Sequence, residues 1–276
     1  MRDWIMDDES LQRIAHKLRR TVLEMAWTAG SGHIGGSFSC AEILTVLYRA
    51  VMRVDPDDPR MPDRDIFILS KGHAAPALYF ALAERGFFEP GLLNSLRRKD
   101  SMLQGHPDMH RVPGIEISTG SLGMGISNAI GFCLAARLNR ITRRAYVLCG
   151  DGELDEGQCW EAFMAAAKYR LADLIVVIDR NHVQLDGTTE DIMPLGDLKR
   201  KIDSFGWQTF TCNGHCISDL RHVFGLAGQR SGRPQAIIAE TVKGKGVSFM
   251  EGKSVWHGKP LTQQEYSAAA TELERL

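Results

Sequence analysis

No stretch of the chain reaches the 18 or more consecutive apolar residues that a membrane-spanning helix needs, so no membrane association is expected. Excess charge of either sign is also missing: 33 Lys and Arg against 34 Asp and Glu leave a net charge of -1. Without a basic run to neutralise a phosphate backbone, no nucleic-acid partner is expected. The opening, Met1 to Asp8, is acidic and has no apolar core, which argues against a secretory signal. Cysteines number six, at 40, 133, 149, 159, 212 and 216, and form no CxxC pair. Cys212 and Cys216 flank His215 like half of a zinc site, but the second half is missing. Buried thiols in a reducing, cytoplasmic setting are the reading. With no internal repeat and no domain-breaking linker, residues 1–276 are read as one domain.

What is present is organised around Ala145 to Gly187. Tyr146-Val-Leu-Cys149 is a short apolar run with the character of a buried strand, and Gly150-Asp151-Gly152 follows where that strand ends. A helix over 156–169 and a second buried run over 174–178 complete a strand–helix–strand unit of the parallel kind, closing on Asp179-Arg180-Asn181. In such sheets ligands gather at the carboxyl ends of the strands. Asp151 and Asn181 stand at two such ends, so their side-chain oxygens could face one point. An Asp, an Asn and a backbone carbonyl just beyond suit a hard cation such as Mg²⁺, which keeps few protein ligands and shares the rest with phosphate and water. Glycines at 150 and 152 allow close backbone approach, and the helix after them can turn its first amides toward an anion. The plainer alternative is a turn whose Asp caps a helix.

The rest of the chain supplies loops for the same edge. A helix over 10–29, with Arg13, Arg19 and Arg20 on its solvated side, ends at Gly30. Ser31-Gly-His33-Ile-Gly-Gly-Ser37 then reads as a Gly-rich loop. Ser39 and Glu42 have capping-box spacing and predict a helix from there to about Arg53. A strand over 65–69 delivers Ser70-Lys-Gly-His73, and a helix over 74–86 follows. Gln104-Gly-His106-Pro-Asp108 is a third Gly/His turn. Ser118-Thr-Gly-Ser-Leu-Gly-Met-Gly125 leads into a helix over 126–138 that is apolar nearly all round, hence expected to be buried. It does not have the dinucleotide register. Residues 187–191 read as a loop, 195–205 and 218–229 as helices, 207–212 and 235–242 as strands, and the tail as polar with one weak helix.

Four histidines, His33, His73, His106 and His257, stand beside glycines in loops. A histidine in such a loop is often only a packed or capping residue. Gathered beside a metal-diphosphate site, four would suit carbonyl chemistry, relaying hydroxyl protons and stabilising alkoxides. His16, His110, His182, His215 and His222 lack that context and are read as surface or packing residues.

These motifs, from Ser31-Gly-His33 through Gly150-Asp-Gly-Glu-Leu-Asp-Glu-Gly157, with 28 residues between GDG and Asn181, to Trp256-His257-Gly258, resemble the thiamine-diphosphate signature. More narrowly, the chain is similar to the N-terminal, cofactor-binding subunit of transketolases split over two chains. The resemblance covers the chain from its first helix to His257. It implies an α/β fold of three layers, a doubly wound parallel sheet with helices on both faces. It further implies that Asp151, Asn181 and the Val183 carbonyl hold Mg²⁺ (or Ca²⁺ or Mn²⁺). Thiamine diphosphate would be held by His73, Gly120, Ser121, Leu122, Gly152, Asn181 and His257. His33, His106 and His257 would face the sugar, and Glu156 would match a glutamate at the subunit contact. The implied reaction moves a two-carbon ketol unit from a ketose phosphate to an aldose phosphate, the cofactor taking the hard step.

Ile34 stands where the family often has Pro, Ser121 likewise, and Met124 where it often has Gln. Nothing after Val242 is long enough to encode a pyrimidine-binding or C-terminal domain. A separate partner subunit carrying the former, in an α₂β₂ assembly, is therefore expected. The other readings are the cofactor half of a deoxyxylulose-phosphate synthase or 2-oxo acid dehydrogenase E1, and a non-catalytic cofactor-binding scaffold.

Overall fold

The computed structural model describes residues 6–229 and 231–276, and residues 1–5 of the acidic opening lie outside them. Five strands, β1 (Ile66–Leu69), β2 (Ala145–Gly150), β3 (Leu174–Arg180), β4 (Gln208–Asn213) and β5 (Gln235–Glu240), form one sheet in the order β1-β2-β3-β5-β4. All four pairings are parallel. The first helices are α1 (Asp8–Ala29), α2 (Ile34–Ser39), α3 (Ala41–Val46) and α4 (Ala75–Arg85). Then come α5 (Met124–Leu138), α6 (Gly157–Lys168), α7 (Thr189–Ile192), α8 (Leu198–Ser204), α9 (Ile217–Ala227) and α10 (Gln263–Leu273).

Side chains alternate across a strand, and the core divides accordingly into two layers. Phe67, Leu69, Tyr146, Leu148, Ile175 and Val177 join the apolar faces of α1, α3, α4 and α9. Ile66, Ile68, Val147, Cys149, Val176 and Ile178 join those of α5, α6 and α8. The expected three-layer, doubly wound α/β architecture is what forms. Among the described residues no helix is long and apolar enough to cross a membrane.

Three local expectations are corrected. Arg19 is not solvated but 1% exposed. Its guanidinium holds both oxygens of Glu42, at 2.6 and 2.7 Å, and the Phe38 carbonyl at 2.9 Å. Glu42 is thereby consumed, so the capping box with Ser39 does not form. The Ser39 hydroxyl instead donates to Asp179, 2.5 Å away. The helix begins earlier, at Ile34 inside the stretch read as a loop, breaks at Cys40, and ends in a π turn over Leu47–Val51. Ile34 therefore opens a helix, and order at this position comes from helical hydrogen bonding rather than from a Pro ring. Second, α5 buries only the face bearing Ile126, Ala129, Ile130 and Cys133, while Leu138 is 84% exposed and Met124 is exposed too. Third, the stretch 187–191, read as loop, runs into a helical turn over Thr189–Ile192, where the Thr188 hydroxyl accepts the Asp191 amide at 3.1 Å.

The Arg19–Glu42 pair continues to His215. The Val242 amide donates to His215 Nε2 at 2.9 Å, so the ring proton sits on Nδ1 and is given to Glu42 at 3.0 Å. With both ring nitrogens engaged, His215 ties the end of β5 to α3 and has no nitrogen left for a metal, and Cys216 faces Ser218 instead. Burial raises the Glu42 carboxyl, but Arg19 and His215 more than offset it and hold it at about 2. Its folded value thus lies below the ordinary 4.5, so its contribution is present above pH 4.5 and lost as pH falls toward 2. Glu42→Gln is expected to be less stable than the native chain at pH 6, with the gap closing between pH 4.5 and 2. Urea midpoints at pH 6, 4 and 3 check this; a gap constant with pH would contradict it.

Candidate active site

β2 and β3 are neighbours in the sheet, with Gly150 opposite Asp179, so their carboxyl ends open onto one crevice. A cavity of about 160 Å³ lies there. Asp151, Gly152, Asn181, Val183, His73, His257 and Leu122 all line it. The Asp151 Oδ2 accepts the His182 amide at 2.6 Å, and Asn181 Oδ1 accepts the Val183 amide at 3.2 Å. Both oxygens are oriented by backbone amides; Asp151 Oδ2 also accepts Arg180 at 3.5 Å, whereas Asn181 Oδ1 keeps a lone pair free. Burial, then the neighbouring charge of Asp179, pushes the Asp151 carboxyl up to about 6. Arg180 pairs with it at 3.5 Å, and the Lys71 and Lys243 ammoniums line the same cavity.

The four glycine-flanked histidines converge. Ring centroids of His73 and His257 are 4.7 Å apart, those of His33 and His257 5.4 Å, those of His33 and His73 5.4 Å, and those of His33 and His106 6.1 Å. Gly120, at φ 139°, passes so close to His106 that a Cβ would sit 2.9 Å from the ring, so glycine is required there on both counts. The Tyr79 hydroxyl, shared between the Gln104 and His106 carbonyls at 2.8 and 3.0 Å, fixes the His106 loop. All four rings are held neutral at pH 7. Burial lowers His33 to about 4, with Arg97 adding, and lowers His257 to about 3, with Lys243 adding. His73 and His106 move the same way for the same first reason. His33 Nδ1 is buried with no hydrogen-bond partner, a polar atom left unsatisfied within the chain.

One expectation fails geometrically. α6 begins only at Gly157, and Gly152–Asp155 is a short 3₁₀ turn whose Gly152 amide already donates to Asp151 Oδ1 at 2.9 Å. The amides of α6 therefore do not face the crevice. Glu156 lies outside the cavity, exposed, packed under Gly123; Ser121 is exposed at the rim.

A family model described as the transketolase thiamine diphosphate binding domain matches residues 10–274. The chain belongs to the transketolase family. It is 44% identical, over 96% of each chain, to the 6-deoxy-6-sulfo-D-fructose transketolase subunit SqwG of Clostridium sp. (strain MSTE9). It is 41% identical to an apulose-4-phosphate transketolase subunit of Phocaeicola vulgatus, over 97% of this chain and 95% of that one. The solved transketolase from Campylobacter jejuni superimposes with a TM-score of 0.91 at 31% identity, covering 98% of this chain. The chain spans 43% of that solved chain's length.

Transketolase-type ligands fit the residues present. Asp151, Asn181 and the Val183 carbonyl offer oxygens, as a hard cation requires, and a cation already lies against one of them: the Lys243 ammonium donates to the Val183 carbonyl at 3.1 Å. Lys243 also donates to His257 Nδ1 at 3.0 Å, which leaves the Nε2 proton of His257 free as a donor. Burial, then Lys71, lowers Lys243 to about 8, so it stays mainly charged at pH 7.

Sequence reasoning missed Lys243, Lys71, Asp179 and Glu153. Lys71 and Asp179 form a buried ion pair beneath the cavity, and Lys71 also donates to the Gly36 carbonyl at 2.8 Å. Glu153 accepts the Gly123 amide at 2.9 Å, the Gly150 amide at 3.1 Å and the Ser70 hydroxyl, binding three loops into one rim. A signal for it existed: a carboxylate directly after GDG, in a turn where neighbouring backbone amides need acceptors.

Proposed function

We propose that this chain is the thiamine-diphosphate- and Mg²⁺-binding subunit of a two-chain transketolase, moving a ketol unit between sugar phosphates in the cytoplasm. The observation that carries the reading is the cavity itself. Asp151, Asn181 and the Val183 carbonyl line it together with His73 and His257, and His33 and His106 extend the row. Asp151, Asn181 and the Val183 carbonyl would hold the metal. His73, Gly120, Ser121, Leu122, Gly152, Asn181 and His257 would hold the cofactor, whose bound thiazolium supplies the electron sink.

The chain's own residues then position and shuttle protons. His257 offers its Nε2 proton, kept there by Lys243. His33 and His106, neutral at pH 7, can each accept a hydroxyl proton at one nitrogen and donate at the other. The match to transketolase subunits favours ketol transfer over synthase or dehydrogenase chemistry, and the intact Asp151 and Asn181 favour an active site over a scaffold.

A partner is supported from two sides. Both subunit relatives have nearly this chain's length, whereas the solved transketolases are more than twice as long. The exposed Met124 and Leu138 of α5 and Met164 of α6 suit a face that a pyrimidine-binding subunit covers in an α₂β₂ assembly, with Glu156 beside it. The test is co-expression with the chain encoded by the adjacent reading frame. Ketol transfer is expected from the co-purified complex, abolished by chelation and restored by Mg²⁺, and absent from this chain alone. Turnover by the chain alone, or a complex that transfers nothing, would refute the reading.

A further inference from the structure

Among the described residues five helices end on a residue in the left-handed conformation. Three use glycine: Gly30 after α1, Gly86 after α4 and Gly206 after α8, at φ 60°, 103° and 89°. The other two use arginine, Arg140 after α5 at φ 56° and Arg170 after α6 at φ 49°. Both close the same pair of backbone bonds. The Arg140 amide donates to the Arg137 carbonyl at 3.2 Å and the Ile141 amide to that of Ala136 at 2.8 Å. The Arg170 amide likewise reaches Ala167 at 3.0 Å, and Leu171 reaches Ala166 at 3.1 Å. Glycine fits this place without the Cβ penalty that any other residue meets. The chain accepts at these two ends a cost it avoids at the other three, and the side chains it keeps by doing so are guanidiniums. A cation at a helix C-terminus is favourable, but Arg137 and Lys168 already supply one in the last turn of each helix.

The two ends lie side by side, because the Arg137 guanidinium donates to the Tyr169 and Arg170 carbonyls at 2.8 and 3.1 Å. Arg140 and Arg170 are exposed and have no carboxylate partner among the described residues. No Asp or Glu occurs from Ile117 to Gly150 or from Ala162 to Ala172, and Asp173 has a partner of its own. The exposed Leu138 and Tyr169 stand among the cations. β2 begins at Ala145 and β3 at Leu174, just beyond these arginines, so this surface lies at the end of the sheet opposite the crevice. It continues the α5–α6 face, bearing Met124 and Met164, that suits a partner subunit. We propose that Arg140 and Arg170 dock acidic side chains of that subunit at the far rim of the face. This rests on the two-chain reading above and adds to it the charge that the partner must carry there. A second copy of this chain does not fit, since a two-fold contact through this surface would set cation against cation. Exposed cations opposite a complementary field act chiefly by speeding encounter, and salt screens them.

The test measures association of this chain with its partner subunit at about 50 and about 300 mM NaCl. The native pair should bind at least about tenfold more weakly at the higher salt. Arg140→Glu combined with Arg170→Glu should slow association at least about tenfold, weaken affinity about a hundredfold at low salt and flatten the salt dependence. Arg140→Gly combined with Arg170→Gly should weaken affinity about threefold to tenfold. The isolated glycine variant should nevertheless melt no earlier than the native chain, since glycine relieves both helix ends. With partner in excess, kcat should hold within about twofold in every variant, because the crevice is at the other end of the sheet. Unchanged affinity and salt dependence in both double variants overturn the assignment and leave ketol transfer intact. A glycine variant that melts earlier makes the guanidiniums part of the fold and overturns it too. Native chain held by vesicles of phosphatidylglycerol, and released by the Glu variant while assembly is unchanged, gives the surface to a membrane instead. A native pair that does not assemble refutes the two-chain reading first, and this proposal with it.

Discussion

Replacing Asp179 with alanine is expected to lower the unfolding free energy by about 3–5 kcal/mol, the usual cost of stranding one partner of a buried ion pair. Asp179 is fully buried, and its carboxylate takes Lys71, Ser39, Thr241 and the Asn181 amide nitrogen. Burial favours its neutral form, but Lys71 and the hydroxyls win and keep its pKa below the ordinary value. Lys71 is raised in turn by Asp179 against its own burial. Both partners therefore depend on each other for their charge. Without Asp179 the lysine would be buried and uncompensated, and its folded pKa would fall below its unfolded one. The sign follows: the deficit of Asp179→Ala should shrink as pH rises toward about 10, where lysine enters the fold uncharged. Urea midpoints at pH 7 and 9.5 measure it. Adding Lys71→Met should recover much of the loss at pH 7, since an apolar pair of similar volume substitutes for a buried salt bridge. An Asp179→Ala chain of native stability would show that the pair carries none of this.

Why that pair was invisible in the sequence is instructive. Lys71 and Asp179 are 108 positions apart, and each sits at the end of an apolar strand, where a charged residue ordinarily marks the return to solvent. Nothing in local periodicity pairs them. Asp151 and Asn181 were legible because two buried runs flanking one helix force adjacent parallel strands, which brings their ends together irrespective of detail. The histidines were legible by their glycines, which mark loops bent close to something. Arg19 could have been read: Ala15, Arg19, Val22 and Ala26 share one stripe, so a charge there must be buried and paired. Which acid it takes is tertiary information, and the apparent capping box of Ser39 and Glu42 pointed elsewhere. The open face of α5 shows the converse limit. An apolar helix surface reads as core whether it is buried by the chain's own sheet or left for another chain.

The second large effect concerns Asp151, where stability and ligand binding should move in opposite directions. Its carboxyl is raised to about 6 by burial and by Asp179. An acid raised in the fold weakens the fold when ionised: the penalty is absent below pH 4 and fully present above about pH 6. Asp151→Asn keeps an oxygen for the His182 amide and removes the charge. At pH 8 without metal the variant is therefore expected to unfold later than the native chain, by up to about 3 kcal/mol. With Mg²⁺ and thiamine diphosphate the order should reverse. A divalent cation there would add counter-charge to the native Asp151, whereas the amide would offer only a weak ligand, and apparent cofactor affinity should drop at least about 100-fold. Thermal melts with and without Mg²⁺ and cofactor, read on this chain and on its complex, give both quantities without an activity assay. A variant less stable than the native chain without metal, yet equal to it in cofactor-induced stabilisation, would mean that Asp151 is a structural cap and that the crevice binds its ligands by other groups. A carboxylate kept at the cost of stability in an otherwise apolar strand end is what a metal-dependent site requires.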